Sequence, residues 1–116
     1  MDIEQFREYC MSKKGATESQ PFDDTSIVFK VEGKMFSLLD LVYNRVLLKC
    51  DPEKATGLRE QYPTAVLPGY HMNKIHWNTV ILDLISNQLV KEWTDHSYDL
   101  VVAKLNRKAK ESLQNK

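Results

Sequence analysis

Apolar residues first recur at helical spacing. Ile3, Phe6 and Cys10 share one face, flanked by Tyr9 and Met11, so Asp2 to Lys14 reads as an amphipathic helix. Asp2 caps its start, and Gln5 three residues on completes a capping-box pattern. Gly15, after Lys13 and Lys14, stands where a left-handed C-terminal cap belongs. Ala16 to Asp24 is polar, contains Pro21 and reads as a loop. The period then shortens to two. Ile27, Phe29 and Val31 face one way and Val28 and Lys30 the other, a strand over Ser26–Val31. Glu32-Gly33-Lys34 supplies the turn, and Met35 to Asp40 returns as the second arm of a hairpin. Arg45 to Cys50 reads as a third strand.

Asp51-Pro52-Glu53 is a helix start, with a capping side chain, a proline in the first turn and an acid at the positive dipole end. This short helix runs to about Gln61, weakened by Gly57 and ended by Pro63. Tyr62 to Tyr70 is a loop with room for one short strand near Val66. A further β segment starts at Met72 or Lys74 and runs to Asp83. On it Ile75, Trp77, Thr79 and Ile81 occupy one face and Lys74, His76, Asn78, Val80 and Leu82 the other. Ser86 caps the last long helix, whose inner stripe is Leu89, Val90, Trp93, Ser97, Leu100, Val101, Lys104 and Leu105. His96-Ser97-Tyr98 marks a kink or break in it, and the tail from Asn106 is polar and basic. The order α-β-β-β-α-β-α gives a two-layer α+β domain, an antiparallel sheet with helices mainly on one face.

Composition narrows the class. The 116 residues amount to one domain, 42% hydrophobic and 28% charged, which excludes a disordered chain, a coiled coil and a collagen-like repeat. Sixteen bases cancel sixteen acids, so no net charge draws the molecule toward nucleic acid or anionic membrane. Cys10 and Cys50 cannot form a disulfide framework and are expected to be reduced, buried thiols. The start Met1-Asp2-Ile3-Glu4 lacks the basic and apolar segments of a signal peptide, and no apolar run approaches the ~20 residues of a membrane helix. The expectation is a cytoplasmic protein without membrane contact.

Candidate chemistry is sparse. His71 and His76 are five apart, which on a strand points their rings to opposite faces, so a metal site is not expected. No nucleophile elbow, paired catalytic carboxylates or phosphate-cradling glycine loop is present, so neither catalysis nor a cofactor is expected. The segment Pro68 to Asn78 gathers amide, imidazole, ammonium and aromatic groups, and Lys74, His76 and Asn78 on one strand face could grip an anion. The rival expectation is a solvated face, with Trp77 anchoring the other in the core. Charge is uneven: residues 1–24 carry a net −3, and residues 104–116 a net +4 from Lys104, Arg107, Lys108, Lys110 and Lys116 against Glu111. Basic residues at a helix C-terminus complement its dipole; the alternative is a nucleic-acid footprint.

Four stretches carry a resemblance. Cys50-Asp51-Pro52-Glu53, Pro68-Gly69-Tyr70-His71-Met72-Asn73-Lys74, His76-Trp77-Asn78-Thr79-Val80 and Asp95-His96-Ser97-Tyr98-Asp99-Leu100-Val101 resemble, in order and spacing, the MmcQ/YjbR family. The resemblance implies a small bacterial α+β protein, with a fold similar to secretion-chaperone-like domains and a DNA-binding label taken from a double-wing sheet. Its matching positions include His71, Asn73, Lys74, His76, Trp77, Asn78, Ser97 and Tyr98. Physically, Lys74 suits a phosphate, Asn73 and Asn78 a backbone oxygen or base edge, and protonated His76 a donor role. Ser97 and Tyr98 hydrogen-bonding across to residues 70–74 would instead make these motifs a buried scaffold. Three functions follow: duplex DNA bound weakly through Lys74 and the Lys104–Lys110 cluster; a protein partner or second copy held on a sheet edge or face; a small-molecule site around Tyr70 to Asn78.

Overall fold

The computed structural model describes residues 1–70 and 72–116. Helix α1 spans Ile3–Met11, and its capping box forms as the sequence implies: the Asp2 carboxylate accepts from the Gln5 N–H while the Gln5 side chain accepts from the Asp2 N–H. The helix stops earlier than Lys14. Ser12 is its C-cap, and Gly15, at φ 71°, follows as a left-handed turn into the sheet.

That turn leads to a strand where a loop was expected. β1 (Ala16–Ser19) pairs antiparallel with β2 (Ser26–Val31). Its four polar or small residues form an edge strand, held by the ladder to β2 and by the Arg7–Glu18 ion pair at 2.6 Å rather than by apolar burial. β2 turns through Glu32 and Gly33, both at positive φ, into β3 (Lys34–Asp40). β4 (Arg45–Lys49), β5 (Val66–Pro68) and β6 (Trp77–Ile81) complete an antiparallel sheet of order β1-β2-β3-β4-β6-β5. The short strand near Val66 is present. The β segment placed from Met72 or Lys74 begins only at Trp77, because the Asn73 carbonyl accepts from the His76 and Trp77 N–H groups and holds residues 73–76 in a turn.

α2 (Pro52–Gln61) starts at Asp51, whose side chain accepts from the Lys54 N–H. α3 (Asn87–Ala103) begins at the Ser86 cap and continues unbroken through His96-Ser97-Tyr98, correcting the expected kink. Those three side chains are satisfied by other elements and do not compete with the helix's own backbone ladder. The basic tail is in fact a helix, α4 (Arg107–Gln114), capped by Asn106. Arg107, Lys108 and Lys110 therefore lie in its first turn, where they oppose the dipole, while Lys104 is the C-cap of α3, where a cation complements it.

The helices lie on one face of the sheet, and there the main core forms. Phe6 and Cys10 of α1, Val90, Trp93 and Val101 of α3 and Leu113 of α4 meet Phe29, Phe36, Leu39, Val46 and Val80 from the strands. Phe29 sits between Phe6 and Phe36 at ring separations of 6.0 and 6.4 Å. Cys10 and Cys50 are both free and buried, and burial pushes their thiols above the ordinary value. Among the described residues no helix is long and apolar enough to cross a membrane.

Candidate interaction face

A second, smaller hydrophobic cluster lies on the side of the sheet that carries no helix. Strand alternation sends Val28, Leu38, Leu47 and Trp77 to this side, where Met35, Tyr70 and Met72 pack against them. Cover comes from Tyr70 and Met72, between β5 and β6 in the chain, which pack over the strands. Gly69 permits a close approach to β6: its N–H donates to the Trp77 carbonyl at 2.9 Å, and an added Cβ would stand 2.7 Å from the Trp77 Cβ. Arg59 of α2 pins the turn ahead of β6 by donating to the Lys74 carbonyl at 2.9 Å.

The cover is incomplete. Beside Tyr70 and Met72 a cavity of about 400 Å³ opens, with Leu38 and Leu47 lining it, Phe22 at its rim and the carboxylates of Asp23 and Asp40 within it. Phe22 is 71% exposed. Val42 and Tyr43, in the β3–β4 turn at the same end of the sheet, are exposed as well.

Asp40 organises the wall. Its Oδ1 accepts from the Val42 and Tyr43 N–H groups, and its Oδ2 from Arg45 Nε at 3.1 Å and the Tyr70 hydroxyl at 3.2 Å. The Arg45 guanidinium lies 4.1 Å from the Tyr70 ring centroid and 4.8 Å from that of Tyr43. Burial alone would raise the Asp40 pKa, but these bonds outweigh it and the carboxyl sits below its ordinary value. Tyr70 moves the other way, its phenol raised by burial and by the Asp40 charge. The result is a rigid, aromatic-walled groove with its cation already neutralised.

The residues singled out from sequence take other places. Asn78 is buried behind the sheet, on the helix side: its amide donates to the Ala55 carbonyl at 3.3 Å and its oxygen accepts from Arg59 at 3.2 Å. It thus ties α2 to β6. Val80 and Leu82 lie on the same helix side, whereas Trp77 packs on the opposite face. From Trp77 on the alternation is as expected, but Lys74 and His76 precede the strand, so the expectation that they share a strand face with Asn78 is corrected. Lys74 is exposed in the turn ahead of the strand, and Asn73 Oδ1 accepts from the Ile75 N–H within that turn. The His76 carbonyl accepts from the Cys50 N–H, tying the turn to the end of β4. His71 lies outside the described residues.

Among the described residues, Ser97 and Tyr98 hydrogen-bond elsewhere than to residues 70 and 72–74. Ser97 Oγ donates to the Phe36 carbonyl at 2.6 Å and accepts from the Lys49 N–H at 2.9 Å, and the Tyr98 hydroxyl donates to the Lys14 carbonyl at 2.5 Å. Ser97 is buried and Tyr98 half-buried, and each ties α3 to other elements. Arg107, Lys108 and Lys110 are exposed on α4, where Arg107 pairs with Glu111 at 3.2 Å. α4 packs near Gly15 and the β2–β3 turn, while Lys74 is tied to α2 over β5 and β6. β3 and β4 lie between, so the expected cations fall in two separate regions. Among the described residues no group of three or more His, Cys, Asp or Glu side chains is arranged to hold a metal. Tyr70 and Met72 fall within the candidate segment Pro68 to Asn78, whereas Phe22 and Asp40 were not expected as site residues. The Asp40↔Arg45 cross-strand pair was the one local signal available, and only the β3–β4 register makes it visible.

The YjbR family model matches residues 11–100, from the end of α1 to the last turns of α3. The chain belongs to the YjbR family. It is 44% identical over 85 residues to the uncharacterized protein YjbR of Escherichia coli, covering 72% of this chain and 71% of that protein. The Escherichia coli protein YbdF is 39% identical over 85 residues, covering 71% and 69%. Among solved structures, a Deinococcus radiodurans protein with a DUF419 domain superposes with a TM-score of 0.91 at 36% identity, covering 97% of this chain and 88% of that one. A Pseudomonas syringae protein superposes at 0.73 with 25% identity, covering 86% and 98%. The YjbR match thus spans both the polar scaffold and the groove-lining residues from Phe22 to Met72.

Proposed function

We propose that this YjbR-family domain is a protein-interaction module whose binding face is the helix-free side of the sheet. The observation that carries it is the groove of about 400 Å³ between the strands and the covering residues Tyr70 and Met72, mostly apolar in its lining and rimmed by an exposed phenylalanine. Apolar surface open at such a rim is the usual mark of a docking site, and the groove has the size of one or two side chains. The rival reading, duplex DNA on Lys74 and α4, has less behind it. The chain carries no net charge, and its proposed cations sit in two regions rather than one stripe.

The test is a competition of surfaces by chemical-shift mapping. A random peptide library is selected on the full chain, and the best peptide is titrated beside a labelled duplex over a salt series. The expected result is peptide-induced shifts at Leu38, Leu47, Tyr70 and Met72, weakened by Phe22→Ala at the exposed rim, with no duplex binding at low salt. Duplex binding whose log affinity falls linearly with log salt, with shifts at Lys74 or α4, would overturn the proposal in favour of DNA.

A further inference from the structure

The two sides of the groove differ in charge. Asp40 is neutralised by Arg45, and both of its oxygens are used. Asp23 is different. The Thr25 N–H and hydroxyl and the Ser26 hydroxyl all donate to Asp23 Oδ1, at 2.8–3.2 Å. Those bonds, from Thr25 first, hold its carboxyl below the ordinary value. Oδ2 accepts no hydrogen bond among the described residues, so its lone pairs are available to a donor. Asp24 follows it, exposed, in the same loop.

The lysines of this face are at the other end of the strands. Alternation places Lys30 and Lys49 on the helix-free side, and the registers Lys30↔Met35 and Lys49↔Trp77 set them away from the Ser26↔Asp40 end where the groove opens. Among the described residues, no lysine or arginine pairs with Asp23 or Asp24 at the groove mouth, beside an apolar floor of Leu38 and Leu47.

From this juxtaposition we infer that the groove accepts a partner polypeptide through an apolar or aromatic side chain carried next to a lysine or arginine. The ring or aliphatic chain fills the space between Leu47 and Tyr70, and the neighbouring cation meets Asp23 Oδ2. The inference rests on the protein-interaction reading above and specifies the chemistry of its partner.

Three acetylated, amidated peptides of identical length test it by chemical-shift titration of the full chain: Gly-Lys-Phe-Lys-Gly, Gly-Gln-Phe-Gln-Gly and Gly-Glu-Phe-Glu-Gly. The expected order is basic over neutral over acidic, with about a three- to tenfold step between the first two at low salt. Asp23→Asn with Asp24→Asn is expected to abolish that step, so that the basic and neutral peptides bind the variant alike, and salt is expected to weaken only the basic peptide's binding to the native chain. Equal affinity for all three, with shifts still at Leu38 and Leu47, would overturn the charge assignment while leaving the apolar groove standing. Binding of none, at concentrations where the library-selected peptide also fails, would remove the interaction reading and this inference with it.

Discussion

At the scale of single residues, the polar groups that stand out in this sequence hold the fold together from within. Asn78 is the sharpest case. An amide beside a tryptophan in a strand looks like a presented ligand group, yet it is 2% exposed and joins Arg59 to the Ala55 carbonyl. Asn78→Leu keeps the volume but leaves a guanidinium and a helix carbonyl without that partner, which costs about 1–3 kcal/mol. The midpoint of urea unfolding is expected to fall accordingly, and an unchanged midpoint would show the amide to be dispensable. Ser97 plays the same part between β3, β4 and α3. Alternation sets Asn78 opposite Trp77, as the structure has it, but its partners were not legible locally, because Arg59 and Ala55 lie 19 and 23 residues away on α2.

At the scale of elements, α2 is anchored by a titratable group on another helix. The Asp51 N–H, at the helix N-cap, donates to His96 Nε2 at 3.2 Å, which requires that nitrogen to be unprotonated. Burial first, then the Lys54 charge, lowers the His96 pKa, against opposing pulls from Asp51 and Asp99. A histidine with a depressed folded pKa contributes stability that is fully present above its ordinary value near 6.5 and is lost as pH falls through the folded value. Unfolding free energy is therefore expected to decline on acidification below about pH 6.5. His96→Gln should flatten that segment of the profile and leave the decline below about pH 4 in place, where Asp23, Asp40, Glu18 and Glu32, all lowered by hydrogen-bonding partners, take up protons. An unaltered slope in the variant would place the sensitivity elsewhere. The start of α2 was plain from Asp51-Pro52-Glu53; its second tether was not, because His96 is 45 residues away.

At the scale of the molecule, α4 closes the structure over its first turn. Leu113 is buried against Gly15 and the main core, and Glu32 in the β2–β3 turn is held by Ser112 at 3.1 Å and Lys116 at 2.7 Å. Leu113→Ala is expected to cost about 2–4 kcal/mol, read as a lowered Tm, because the cavity it leaves is lined by parts of the chain that cannot collapse together. The Glu32–Lys116 pair, partly exposed, adds little by comparison. If α4 instead frayed freely, the substitution would pass almost unnoticed.

Much was fixed by the order of residues alone. The capping signals at Asp2, Asp51 and Ser86, the β2–β3 turn at Glu32-Gly33 and the alternation of β2 each act within a few residues, and each formed as the pattern implies. Family membership was legible for a similar reason, since the matching motifs keep their spacing along the chain. The interaction face was not. Its floor comes from β2, β3, β4 and β6, its wall from Asp40, Arg45 and Tyr70, and its rim from Phe22. Hydrophobic positions in these strands declare only that both faces are apolar. Which face receives helices and which stays open depends on where α1, α2, α3 and α4 pack, a choice made by contacts between residues far apart in sequence.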